Sequence, residues 1–469
     1  MTTSAGELRA RSLRRLTGTE GSDDDVLAYV DQAMFLGLRA TRQAAVMQAI
    51  WVYEHPLDMD GVRRFHDRFG HSLWARLIQP SALPFGRHRW VSAPGAPTPI
   101  RVIDTVRPRA ELTDWFDEHA QVKLDPEWGP SWELAIQPLD DGATAASLVV
   151  SHCIGDGGGM IRSMADAAGD TNVFEVNYPQ PGSRTRAAAI RADLRQSARD
   201  LPQIGRAIVA TAKQGWKQRA ELRGAGKGAA ARVSTVGGAE NVVVPSIWAL
   251  IDLAEWDRRA AELGGNNHSM VAAFSARLAK NMGRFDEAVG EVPLIVPIDD
   301  RSPGDTRANA VLLGNARLDP RRVTEDLTQT RAIMREALRQ MHEEPDERYD
   351  LLPLTPFVPK RAVTKTADLA VKFGEQPVSC SNVGDAPEII ASLDGTQAEY
   401  MMARGVDGEI SREVLEHRQG LLTIIVLRVI GKVAMPVIGY QPGAVNTKES
   451  LREHVRTTLA EFGLSGDFL

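Results

Sequence analysis

The residues best suited to chemistry lie together in VVSHCIGDGGG, Val149 to Gly159. Histidine is the side chain that takes and returns protons near neutral pH, so His152 is the candidate general base. Asp156 is close enough to organise the turn that carries it. Gly155 and Gly157 permit sharp backbone geometry, and N–H groups at the start of a following helix could face a developing oxyanion. Such a set suits acyl transfer: His152 removes the acceptor proton, the oxygen attacks a thioester carbonyl, and the intermediate expels a thiol. Taken alone, a single histidine before a glycine-rich turn is more often structural than catalytic. The glycines form neither a P-loop, since no Gly-Lys-Ser/Thr follows, nor a GxGxxG fingerprint. Cys153 points to the opposite strand face from His152 and reads as a buried structural thiol rather than a nucleophile. No Gly-x-Ser-x-Gly elbow supports a serine hydrolase.

The surrounding pattern says what must hold these residues. WELAIQPL (Trp132 to Leu139) reads as a strand, the DDG at Asp140 to Gly142 as a turn, and SLVVSH (Ser147 to His152) as the returning strand. A helix is expected from about Gly158 to Ala168, with Met160, Ile161, Met164 and Ala168 on one face. His152 therefore sits where a buried strand ends and a glycine-rich turn begins. Upstream, the pattern predicts a helix from Asp24 to Gly37, a strand over Ala45 to Tyr53 and a helix over Asp60 to Phe69. Downstream it predicts strands near Val242 to Ile251, Val292 to Ile298 and Gln419 to Val429. Helices are expected at Leu253 to Leu263, Ser269 to Met282 and Lys448 to Phe462. Alternating strands and helices in both halves indicate an α/β or α+β protein.

The chain has 469 residues, 43% hydrophobic and 25% charged, which is a globular balance with room for two or three cores. A net charge of −6 argues against a nucleic-acid protein. Two cysteines, Cys153 and Cys380, make no disulfide framework and no metal-ligand spacing, and they fit a reducing compartment. The basic N-terminus lacks the apolar run of a secretory signal. The longest apolar stretch, Leu421 to Tyr440, is interrupted by Arg428, Lys432 and Pro436, so it reads as two buried strands rather than a membrane span. The expectation is a cytoplasmic protein. One segment departs from the average: Arg184 to Arg232 holds twelve Lys/Arg against Asp193, Asp200 and Glu221. It reads as a helical crossover between lobes. Packing across their backs, interfacial contact with anionic lipid, and docking of an acidic carrier protein or a phosphate are the roles open to it.

His152-x-x-x-Asp156-Gly157 resembles the HHxxxDG motif of the condensation-domain and chloramphenicol-acetyltransferase-like superfamily. DQAMFLGL (Asp31 to Leu38), PSWEL (Pro130 to Leu134), VPIDDR (Val296 to Arg301), LLGN (Leu312 to Asn315) and SNVGDAP (Ser381 to Pro387) resemble, in order, segments of the bacterial wax ester synthase/diacylglycerol acyltransferase family. The resemblance implies an α/β (α+β) fold of two similar lobes arranged as a V, with the histidine midway along a central channel. It implies an acyl donor on coenzyme A or an acyl carrier protein, a small-molecule or lipid hydroxyl acceptor, and no metal or other cofactor. His152, Asp156 and Gly157 become the catalytic set. Arg301, as the partner of Asp156, and Asn315, Ser381 and Asn382 become its support, with a solvated arginine as the alternative for Arg301. Three departures stand out. Ser151 replaces the first histidine of the pair, Asn267-His268 replaces an Asn-Asp motif, and the loop after Val383 lacks its proline.

The expected organisation is an N-terminal lobe over 1–178, the basic crossover over 179–238 and a C-terminal lobe over 239–469. The expected activity is ester-forming acyl transfer. An amide-forming condensation enzyme and a non-catalytic binding protein of the same fold are the alternatives. Peripheral membrane or carrier-protein contact would run through 184–232.

Overall fold

The computed structural model describes residues 25–171, 177–224, 241–302, 305–343, 347–358, 377–408 and 410–469, without the side chains of 212–224, 342, 347 and 348. The first half runs α1 Tyr29–Thr41, β1 Ala45–Tyr53, α2 Met59–Phe69, β2 Arg76–Gln79, β3 Arg89–Ser92 and β4 Arg101–Val102. It continues with α3 Leu112–Ala120, β5 Trp132–Pro138, β6 Thr144–Ser151, α4 Gly157–Gly169 and the long α5 Arg186–Gly224. The second half runs β7 Ser246–Asp252, α6 Leu253–Glu262, α7 Asn267–Asn281, β8 Val292–Asp299, β9 Val311–Leu318 and α8 Thr328–Glu343. It ends with β10 Val378–Asp385, β11 Tyr400–Asp407, α9 Arg412–His417, β12 Leu421–Val429, β13 Lys432–Tyr440, α10 Lys448–Glu461 and β14 Asp467–Phe468.

Composition explains the central strands. In β1, AVMQAIWVY, every residue from Val46 on is buried, as aromatic and β-branched residues covered on both faces require. β6 is buried along its whole length and pairs antiparallel with β1 and β5. The turn between β5 and β6 places Gly142 at φ +87°, a conformation only glycine adopts freely. Helix α4 starts on Asp156 and buries Met160, Ile161, Met164 and Ala167. It packs against α2, whose Val62, Phe65 and Phe69 face inward.

The strands form two main sheets, ordered β11-β1-β6-β5-β4 and β14-β7-β13-β12-β10-β8-β9, with β2 and β3 paired apart. Each main sheet has its own apolar core. The mixed α/β architecture of two lobes is as expected, but the lobes do not divide at residue 239. Strand β11 pairs with β1 over Ala45↔Asp407 to Val52↔Tyr400, and Ile390, Ala391 and Leu393 join the first core. Ile390 and Ala391 also accept hydrogen bonds from Trp51 Nε1 and the Tyr53 hydroxyl, at 2.7 and 3.1 Å. The first sheet needs an edge partner for β1, and a late segment of the chain supplies it. Boundaries also shift: the first helix runs Tyr29–Thr41, β6 begins at Thr144 and ends at Ser151, and β7 begins at Ser246. Asp24, the expected start of that helix, lies outside the described residues. Among the described residues, no helix is long and apolar enough to cross a membrane.

Candidate active site

His152 follows directly on β6, and its backbone N–H donates to the Ala45 carbonyl at 3.0 Å. The residue is half-buried. Its Nδ1 is enclosed without a hydrogen-bond partner, and the residue lines a cavity of about 290 Å³. Both sheets wall this cavity: Ala45, Val46 and Arg404 to Asp407 come from the first, and Ser246, Ser379, Leu421, Thr423 and Ile438 from the second. Half of the lining residues are polar.

Asp156 does not reach His152; it holds the turn. Oδ1 accepts from Gly159 N–H at 2.8 Å, capping α4. Oδ2 accepts from Arg301 Nη2 at 2.7 Å and from Ala310 N–H at 2.7 Å. Arg301 is not solvated. Its side chain has no exposed surface, and it also donates to the carbonyls of Asp305, Arg307 and Ala308 at 2.8, 2.7 and 3.0 Å. The same 299–310 loop satisfies a second buried carboxylate, Asp31 of the DQAMFLGL segment. Asp31 accepts from Asn309 N–H and Nδ2 at 3.0 and 2.9 Å and from Ala308 N–H at 3.3 Å. Burial raises the Asp31 carboxyl above its usual range, while Asn309 and Arg76 pull it back. One loop of the second lobe is therefore tied to two carboxylates of the first, at the base of the His152 turn.

The remaining expected residues are placed differently. Gly157 opens α4, but a Cβ there would meet nothing, and its φ is not positive. The glycines under steric compulsion are Gly155, where a Cβ would lie 2.8 Å from Trp74 Cη2, and Gly159, where it would lie 2.8 Å from Leu73 Cδ2. The N–H of Gly159 is taken by Asp156 rather than left for an oxyanion. Asn315 is not brought to the site: it sits on the exposed face of the edge strand β9 and lines a separate groove against α8. Asn382 joins Asn267 and His268 instead, at 3.1 and 3.0 Å. Ser381 is half-buried on β10, but the residue of that strand that lines the cavity is Ser379. Cys153 is buried in the turn after β6, beyond the reach of strand alternation, and burial pushes its thiol up to about 12.

The sequence reading missed a charged cluster in the cavity wall. Buried Arg404 donates to Asp117 Oδ1 at 2.8 Å, to Gln48 Oε1 at 2.8 Å and to the Ser246 hydroxyl. Lys448 Nζ lies 2.6 Å from Asp117 Oδ2. Burial lowers the Arg404 guanidinium from its usual value, and Asp117 opposes that. Behind Gln48, whose Nε2 donates to Ser147 at 2.8 Å, stands a Ser–His–Glu string. Ser147 Oγ is 2.7 Å from His119 Nδ1, and His119 Nε2 is 3.4 Å from Glu133 Oε1, an ion-pair distance without hydrogen-bond alignment. Ser147 has no exposed surface, so the string braces the sheet and offers no nucleophile. Among the described residues, no three His, Cys, Asp or Glu side chains are grouped to hold a metal ion.

By sequence, neither a protein-family model nor a curated protein matches the chain. Solved structures do. The first condensation domain of the CDA synthetase superposes with a TM-score of 0.56 at 14% identity, covering 94% of this chain and 96% of that one. The fold is that of the condensation domains. The wax ester synthase/diacylglycerol acyltransferase from Marinobacter aquaeolei VT8 has it too, with a TM-score of 0.53 at 17% identity over 93% of this chain and 98% of that one. The nonribosomal peptide synthetase FmoA3 matches over 95% of this condensation-like chain but 44% of its own length, with a TM-score of 0.51 and 16% identity.

Proposed function

We propose that this protein is an acyltransferase that moves an acyl group from a thioester donor to a hydroxyl acceptor, with His152 as general base. The observation that carries the reading is that His152 lines a cavity walled by both sheets, on a turn fixed from below by Asp156 and Arg301. Nε2 takes the acceptor proton as its oxygen attacks the thioester carbonyl carbon. The tetrahedral intermediate collapses, the C–S bond breaks, and the thiolate leaves with the proton from the imidazolium. Asp156 and Arg301 act as positioning residues in this scheme, and Ser379 and Thr423 supply hydroxyl donors on the opposite wall. The donor is carried on coenzyme A or an acyl carrier protein.

The cavity speaks to the acceptor. Half of the residues that line it are polar, which favours a polar acceptor over a long-chain alcohol. An amide product is the second reading, favoured by the likeness to condensation domains. The test is thiol release from a panel of acyl-CoAs with small alcohols and amines, with product mass and hydroxylamine lability separating ester from amide. His152→Ala, folded by circular dichroism, is expected to lose turnover on the order of 10²–10⁴-fold. Near-native turnover in that variant would sink the reading.

A further inference from the structure

Helix α5 presents two unlike faces. Asp193, Asp200 and Ala207, spaced seven apart, are buried. Asp193 accepts from Arg89 Nε at 3.0 Å and the Ser81 hydroxyl at 2.6 Å, and Asp200 from Gln196 Nε2 at 3.0 Å beside Arg87 Nη1 at 3.5 Å. Both acidic residues between Arg186 and Thr211 are thus turned inward and paired. One position further along each time, Leu194, Leu201 and Ile208 are 52%, 63% and 56% exposed, and Val209 is 67% exposed. At 3.6 residues per turn these four, with exposed Ala198, Pro202 and Gly205 between them, occupy about a third of the helix circumference. Exposed Arg195 and Arg199 run along one edge of that stripe, and exposed Arg191 lies within its N-terminal end. The segment 347–357 packs on α5 and ends in Phe357, which stacks at 6.1 Å on Phe85 with both rings half-exposed.

We infer that the outer face of α5 is a docking surface for an anionic lipid bilayer. Single exposed apolar residues need no partner, but a continuous stripe edged by cations and free of carboxylates is the pattern of an interfacial helix. The leucines, isoleucine and valine enter the acyl boundary, while the arginine stems lie along it with their guanidinium groups at the headgroup phosphates. A convex rod of about 39 Å between Arg186 and Thr211 suits a planar surface better than a protein groove. Charge selects against an antiparallel second copy of the chain, because that packing would set two arginine rows of one sign together. This inference stands apart from the acyl-transfer reading, since it uses none of the cavity residues.

The test is co-sedimentation of the full chain with vesicles of phosphatidylcholine, with and without phosphatidylglycerol. Alongside it run Leu201→Ser/Ile208→Ser and Arg191→Gln/Arg195→Gln/Arg199→Gln, each checked for fold by circular dichroism. The wild type is expected to sediment with the anionic vesicles at least tenfold more tightly than with neutral ones. The triple arginine variant is expected to bind on the order of 100-fold more weakly, and added salt to shrink that difference. The leucine–isoleucine variant is also expected to lose at least tenfold. The inference is overturned if the wild type stays in the supernatant, or if the Leu201→Ser/Ile208→Ser variant sediments unchanged. A wild-type dimer in light scattering, abolished by that variant and accompanied by no vesicle binding, would overturn it in favour of a second copy.

Discussion

The Asp156–Arg301 pair yields the sharpest prediction, because both side chains are fully enclosed and each holds several partners. Asp156→Asn keeps the shape and the Gly159 cap. It places an amide or a single oxygen where the carboxylate accepted both Arg301 and Ala310 N–H, and it strands a buried guanidinium. Arg301→Met strands the carboxylate instead and leaves the carbonyls of Asp305, Arg307 and Ala308 without their donor. Breaking a buried pair from one side costs about 3–5 kcal/mol, a large share of a typical stability of about 5–15 kcal/mol. Removing both charges returns much of that loss, because no charge is then buried alone, and the coupling is expected at roughly 2–3 kcal/mol. Urea denaturation of the four proteins of the cycle measures it, with turnover taken where each variant is folded. Single variants that lose less than about 1 kcal/mol would refute the tie. So would Asp156→Asn abolishing turnover at unchanged stability, which would make Asp156 a chemical participant.

The glycines give a matched pair of outcomes. Gly155→Ala is expected to destabilise by about 1–3 kcal/mol through the Trp74 clash. Gly157→Ala is expected to leave the melting temperature alone, so any loss of turnover there, read as a raised KM, would report substrate in the space beside it. Cys153 and Cys380, with thiols raised to about 12 and about 11 by burial, are neutral at pH 8. Iodoacetamide is expected to leave both unmodified in the native protein and to label both in urea, as read by intact mass; rapid native labelling of Cys153 would reopen its role as a nucleophile. Ser147→Ala is expected to keep near-native kcat while lowering stability by about 1–3 kcal/mol, since it leaves His119 Nδ1 without a partner and removes one of the two acceptors of Gln48 Nε2. A kcat collapse in that variant, with the fold intact, would contradict the bracing role.

What could be read beforehand follows the range of the interactions. β1 and β6 were legible because nine and eight residues of the right type stand together, and α4 because Asp156 precedes a periodic apolar face. Asp156 and Arg301, 145 residues apart, could be paired only through the resemblance carried by their motifs. The wall facing His152 was not legible. Ser246, Ser379 and Arg404 come from three strands with no motif, and polar residues on strands ordinarily face water. Arg404 is buried instead because Asp117, Gln48 and Ser246 take its Nε and Nη1, and no local pattern encodes those partners. Asn315 shows the opposite failure. Its motif suggested a site role, yet the alternating burial of VLLGNARL puts it on the open face of an edge strand.

The position of β11 bears on how the protein is made. Strand β1 pairs on one side with β6, about a hundred residues downstream, and on the other with β11, more than 350 residues downstream. A nascent chain that has released residues up to α4 therefore carries β1 with one full row of backbone N–H and C=O groups unpaired, beside an apolar Trp51 and Ile50. Such an edge is a template for other strands. It stays open while some 230 further residues are synthesised, which at 5–20 residues per second is roughly ten to fifty seconds. Truncated versions ending in the crossover would inherit that edge permanently and are expected to aggregate, whereas a fragment co-expressed with residues 241–469 could be rescued by the missing strand.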